Sequence, residues 1–246
     1  MRIGILSIAT GKYDRFVKDL FDSCEEHFIP GSEKTYYIFT ESNVTDISPK
    51  IKKIEQKKLG WPYDTMMRFH MFNSIKDELM ESTDYLFFLN ANMKPISKIG
   101  KEVLPVGDLN YMGMFHPSFY MALEGSLPYE RKESSKAHIK FGEGSKYYQG
   151  CFNGGKTEHF LKMSNELADL LDQDLDNDTY PIWHDESLLN KYYNGRNDVL
   201  GINPGYGYPE NTPGQVDHYS YIPEKFGVKM IQKNKALLGG HDFLRS

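Results

Sequence analysis

The sequence predicts one α/β domain spanning residues 1–246, built on a mainly parallel central sheet. Residues 85–89, Tyr-Leu-Phe-Phe-Leu, form a short apolar run closed by polar residues, as in a strand buried on both faces. Residues 3–40 read as strand, helix and strand, a βαβ unit whose first loop lies at the carboxyl edge of the sheet. The 246 residues are 39% hydrophobic and contain no Pro/Gly/Ser-rich linker, repeat or low-complexity tract, so one core accounts for the whole chain.

In chain order, residues 3–8 are the first strand and 9–13 a loop. The helix that begins near Tyr13 carries Phe16, Val17, Leu20, Phe21, Cys24 and Phe28 at helical spacing. Pro30 and Gly31 stop it, and residues 35–40 form the second strand. Residues 62–80 predict one helix with Met66, Met67, Met71, Ile75 and Leu79 inward and Arg68 along it. The strand at 85–89 runs into Asn90-Ala91-Asn92. Residues 111–115 and 147–155 are further strands, the second ending in paired glycines. Residues 134–146, polar and with Gly142 and Gly144, predict a mobile loop. An amphipathic helix follows over 157–171. Asp172, Asp174, Asp176 and Asp178 predict a solvated turn, because the Gly and Glu of a calcium loop are Asn177 and Trp183 here. Residues 183–192 open another helix. Residues 229–238 carry Lys229, Lys233 and Lys235 and no acid.

Composition narrows the function. The net charge of −5 argues against a nucleic-acid partner. The 9–13 loop lacks the Gly-rich dinucleotide fingerprint, which argues against NAD. Two cysteines, Cys24 and Cys151, are too few for a disulfide framework. The first apolar run is too short for a signal peptide or membrane anchor, so the expected location is the cytoplasm.

Two stretches carry chemistry. In open α/β sheets ligands sit outside the carboxyl ends of the strands, which brings residues 9–13 and Asn90-Ala91-Asn92 to one edge. Lys12 there can meet a phosphate, and Arg68 can fork to sugar or phosphate oxygens. Trp183-His184-Asp185-Glu186 is the second stretch. Acids at a helix start favour the macrodipole, which is its purely local reading. A Trp face also suits a sugar's C–H surface, His184 and Asp185 can bond hydroxyls, and Glu186 can stabilise developing positive charge.

Several motifs in series then resemble one family. They are Tyr36-Tyr37-Ile38-Phe39-Thr40, Asp84-Tyr85-Leu86, His116-Pro117-Ser118-Phe119-Tyr120, Tyr129-Glu130-Arg131, Tyr147-Tyr148, Gly154-Gly155 and Trp183-His184-Asp185-Glu186-Ser187. In this order they resemble glycosyltransferase family 6, which includes the histo-blood-group A and B transferases and α-1,3-galactosyltransferase. The resemblance covers residues 3–238. It implies a GT-A fold, a Rossmann-like nucleotide-sugar-binding architecture, and a retaining transferase. The donor would be UDP-GalNAc or UDP-Gal, and the acceptor the 3-hydroxyl of a terminal galactoside, fucosylated at its 2-hydroxyl in the blood-group branch.

By position, the resemblance implies that Ile8, Ala9, Thr10 and Tyr13 hold uridine, with Lys12 beside them. Arg68, Asn90, Ala91, Asn92 and Asp185 would face the donor. Gln149, Gly150 and Cys151 would choose between GalNAc and Gal, and favour GalNAc. His116, Trp183, His184 and Glu186 would meet the acceptor, with Glu186 also catalytic under the anomeric carbon, by a covalent intermediate or a same-face route. Lys233 falls where the family places a diphosphate lysine.

Three departures accompany the likeness. Asn90-Ala91-Asn92 replaces a metal-binding Asp-x-Asp, so no metal cofactor is expected. The family's tail arginine is Gly239 here, leaving Arg245 as the candidate substitute. The animal enzymes carry an anchor and stem, whereas this chain begins at its first strand, as expected of a soluble bacterial form. A nucleotide-sugar hydrolase and a non-catalytic glycan- or UDP-binding module are the alternatives.

Overall fold

The computed structural model describes residues 1–211 and 218–245. Among these, ten strands form: β1 (Arg2–Ile8), β2 (Glu33–Thr40), β3 (Ile51–Glu55), β4 (Tyr85–Leu89), β5 (Met93–Pro95), β6 (Tyr111–Phe115), β7 (Tyr148–Lys156), β8 (Val199–Ile202), β9 (Tyr208–Pro209) and β10 (Met230–Gln232). Seven build one sheet in the order β3-β2-β1-β4-β7-β6-β8, and β5-β10-β9 make a small second one. The first four strands pair in parallel, as do β6 and β8. Among the described residues, β7 alone in the seven-stranded sheet runs against its neighbours, and β5 runs against β10 in the small one.

Both faces of the sheet are covered, which is why its strands read as unbroken apolar runs. Alternate residues enter different layers. Ile5, Phe87 and Leu89 join Phe16, Leu20, Phe28 and Phe152 on one side. Leu6, Leu86 and Phe88 join Phe39, Phe72, Phe160 and Leu188 on the other. Gly154 and Gly155 let β7 lie close to its partners. A Cβ on Gly154 would fall 2.3 Å from the Phe87 ring, and one on Gly155 2.6 Å from the Asn110 carbonyl.

The helices are α1 (Val17–His27), α2 (Tyr63–Met66), α3 (Arg68–Asn73), α4 (Lys76–Ser82), α5 (Thr157–Leu175), α6 (Asp185–Tyr193), α7 (Tyr221–Phe226) and α8 (Gly240–Arg245). A 3₁₀ turn, Gly11–Phe16, precedes α1. The helix expected over 62–80 is three short ones, because Met67 and Ile75 leave helical backbone angles. The expected mobile loop at 134–146 is anchored: Ser135, Ala137 and Ile139 are buried. Its anchor is Asp174, which is fully buried rather than solvated. Its carboxylate accepts bonds from Ser135 Oγ at 2.7 Å and the Lys136 amide at 2.6 Å. No helix among the described residues is long and apolar enough to cross a membrane.

Candidate functional site

A cavity of about 670 Å³, counting its open mouth, lies at the carboxyl edge of β1 and β4. Ile8, Thr10 and Tyr13 line one wall, and Asn90, Ala91 and Asn92 another. Ala9 lies behind them, fully buried, with its amide bonded to the Phe39 carbonyl. Lys12 is beside the pocket, its ammonium 4.0 Å from the centre of the Phe243 ring.

Sequence reasoning missed Trp61, Asp64 and Thr65 in the lining. Asp64 organises the approach to α2. Its carboxylate accepts from the amides of Leu59 and Gly60 at 2.7 and 3.0 Å, and from Thr10 Oγ1 at 3.3 Å.

The basic tail reaches the pocket through a different lysine from the one expected. Lys233 turns away and bonds Asp19 at 2.8 Å. Asn234 then opens a 3₁₀ turn, Lys235–Leu238, and Lys235 lines the pocket instead. Burial pulls the Lys235 ammonium down to about 8. Arg245 lines the pocket as well, its guanidinium 3.8 Å over the Trp61 ring. The only sequence signal for Lys235 was the local run of lysines.

Arg68 is not a solvent-facing helix residue, since it is only 5% exposed. Its NH1 pairs with the Asp185 carboxylate at 2.9 Å and donates to the Gly150 carbonyl at 2.7 Å. Its guanidinium lies 4.1 Å over the Phe88 ring. Thr65 Oγ1 donates to the other Asp185 oxygen at 2.9 Å. Arg68 and Asp185, both expected on the donor, are therefore bonded to each other, with Arg68 also lining the pocket. The Arg68 Nε is buried with no hydrogen-bond partner among the described residues.

Glu186 lies just past this pair. Its carboxylate accepts the Gly150 N–H at 2.7 Å, and burial lifts it to about 7. Burial also raises Asp185, against the pull of Arg68. His184 sits before them at φ 55°, ψ −124°, a left-handed conformation that costs a non-glycine residue on the order of 1–3 kcal/mol. Bonds to the amides of the two residues before it hold it. Glu130, 5% exposed, accepts the Ile182 amide at 2.6 Å, and Ser187 Oγ accepts the Trp183 amide at 3.0 Å. Trp183 is about half exposed, and the His184 ring meets Trp61 edge-on at 4.9 Å. His116 packs against Phe119 and Tyr147, and burial pulls it down to about 4, so it is neutral at pH 7.

Gln149 and Cys151 lie off the pocket lining. Cys151 is buried, and the Gln149 amide pairs with Gln232 through bonds of 3.0 and 3.3 Å.

Asp64 is the one carboxylate in the described pocket lining that a divalent cation would meet. Among the described residues no group of three or more His, Cys, Asp or Glu converges to bind one. Asn90 and Asn92 bring no charge to offset stripping water from the ion. Asp64 is committed to its loop, and Lys235 and Arg245 would repel the ion.

Residues 1–222 match the sequence profile of Glycosyltransferase family 6. The chain is 34% identical to O-antigen biosynthesis glycosyltransferase WbnI of Escherichia coli, over 85% of this chain and 89% of that protein. It is 29% identical to Histo-blood group ABO system transferase 1 of Rattus norvegicus, over 94% of this chain and 67% of the relative. Identity is also 29% to Globoside alpha-1,3-N-acetylgalactosaminyltransferase 1 of Gallus gallus, over 87% and 63%. The mostly parallel seven-stranded sheet with helices on both faces is the GT-A arrangement the motifs implied. With its profile matched over most of the chain and its fold in agreement, this protein belongs to glycosyltransferase family 6.

Proposed function

We propose that this protein is a retaining transferase that moves GalNAc, or Gal, from UDP in α-1,3 linkage to a terminal galactoside. The acceptor in this reading carries fucose on its 2-hydroxyl, and no metal takes part. The observation that carries the reading is the pair of tail cations lining one pocket together with Asn90-Ala91-Asn92.

Uridine would lie along Ile8, Thr10 and Tyr13. The diphosphate would then meet Lys235 and Arg245. An ammonium about 4 Å from a phosphate oxygen contributes up to roughly 4 kcal/mol at an effective dielectric near 20. That charge stabilises the UDP leaving group as the glycosidic bond breaks. Arg68, which lines the same pocket, would extend the chain of donors toward the transferred sugar. Glu186, held by the Gly150 amide, would stabilise positive charge at the anomeric carbon from below. Trp183 and His184 would present the acceptor.

The test incubates UDP-GalNAc and UDP-Gal separately with plain and 2-fucosylated galactosides and reads linkage and anomeric configuration by NMR. An α-1,3 product, formed faster on the fucosylated acceptor, is expected. UDP release at equal rates with and without acceptor would show a hydrolase, and binding of UDP without turnover a binding module. Either result would overturn the proposal.

A further inference from the structure

Asn92 makes two bonds to Lys233, one through its backbone carbonyl and one through its side chain, and the side-chain bond is one a carboxylate could not make. Its side-chain Nδ2 donates to the Lys233 carbonyl at 2.9 Å, and its own carbonyl accepts the Lys233 N–H at 2.8 Å. Because the first acceptor is a backbone carbonyl, only the NH₂ end of an amide can face it. Asn92 is 5% exposed, so water does not readily replace that donor.

The residue it clamps lies two before Lys235, with the turn's cap, Asn234, between them. Asn234 donates its amide to Glu210 at 2.8 Å, and its Oδ1 accepts the Ala236 N–H at 2.9 Å, which caps the Lys235–Leu238 turn. Lys235 is the first residue of that turn, and Arg245 ends α8 beyond it.

We propose that Asn92 is a positioning residue, anchoring the tail at Lys233 so that Lys235 and Arg245 stand over the pocket. This rests on the reading that the pocket takes the diphosphate of UDP. An aspartate at this position would lose the bond and set a carboxylate oxygen against a carbonyl oxygen. The asparagine thus supplies the donor that holds the groups doing the ion's work.

A double-mutant cycle tests it, with UDP titrated calorimetrically into wild type, Asn92→Asp, Lys235→Ala and the double variant. Each single change should weaken binding about tenfold. The double should be no weaker than either single, because the lysine is already misplaced. Losses that multiply, or Mn²⁺ restoring Asn92→Asp to wild-type affinity, would overturn the proposal. Hydrogen exchange without UDP reads the anchor independently. In Asn92→Asp the Leu237 and Gly239 amides, which close the turn, should exchange faster while those of β1 and β4 keep their protection. If the aspartate variant does not fold, Asn92→Ala removes the same donor and takes its place in both measurements. Unchanged exchange at Leu237 and Gly239 would refute the anchor even if UDP does not bind. Failure of wild type to bind UDP would refute the functional reading alone, and the exchange result would still decide the anchor.

Discussion

Glu186→Gln should make the protein more stable and far less active, and the stability gain should depend on pH. Burial lifts this carboxyl from 4.5 to about 7. A carboxyl raised on folding favours the folded state while protonated. That contribution is complete below pH 4.5 and is lost as pH rises through 7. At about 1.4 kcal/mol per pH unit, the ionised form costs the fold at most about 3 kcal/mol, a ceiling because Glu186 keeps some solvent contact. About 2 kcal/mol of this develops between pH 5 and pH 8. A glutamine carries no charge and still offers its carbonyl to the Gly150 N–H. For a chain of this size the Tm advantage of the variant should be about 4–8 °C larger at pH 8 than at pH 5. Transfer should fall by about 10²-fold or more, since the carboxylate acts on transition-state charge. Scanning calorimetry at both pH values and a radiolabel transfer assay on one preparation measure the two effects. An equal Tm change at both pH values would refute the burial argument, and near-normal turnover would refute the catalytic role.

Wild-type kcat/KM should rise with pH through about 7, following ionisation of Glu186; a flat profile from pH 5.5 to 8.5 would contradict this. Arg68→Met should cost about 3–5 kcal/mol in urea unfolding, because it strands the buried Asp185 carboxylate; a loss under 1 kcal/mol would remove that pair from the account. Cys151→Gly and Gln149→Leu should each shift the GalNAc/Gal ratio in a competition assay, Gln149→Leu by freeing Gln232; unchanged ratios would end their assignment to donor choice.

The sheet and its ligand-binding edge were legible because strands buried on both faces leave unbroken apolar runs, as Tyr85–Leu89 does. The edge strand β3 was not, since Ile51–Glu55 carries two lysines and no run. Polarity misled at Asp174, where a charged side chain is buried to satisfy a loop, and the pairing of Arg68 with Asp185 left no sequence signal. In both, the partner lies far off in sequence and is joined only by the fold. The motif's Asp185 and Glu186 stand in the first turn of α6, just after Trp183 and His184. The resemblance named Lys233 for the diphosphate, whereas in the structure Lys233 bonds Asp19 and, past the turn at Asn234, Lys235 lines the pocket. No periodicity encodes such a turn before the tail is seen packed against Asn92.

The central claim is that tail cations do the work of a metal ion at Asn90-Ala91-Asn92. The most direct measurement compares sugar transfer in excess EDTA with transfer in added Mn²⁺, for wild type and Lys235→Ala. Equal wild-type rates in the two conditions, and loss of most activity in Lys235→Ala in both, are the predicted result. Wild-type activity that collapses in EDTA and returns with Mn²⁺ would contradict it.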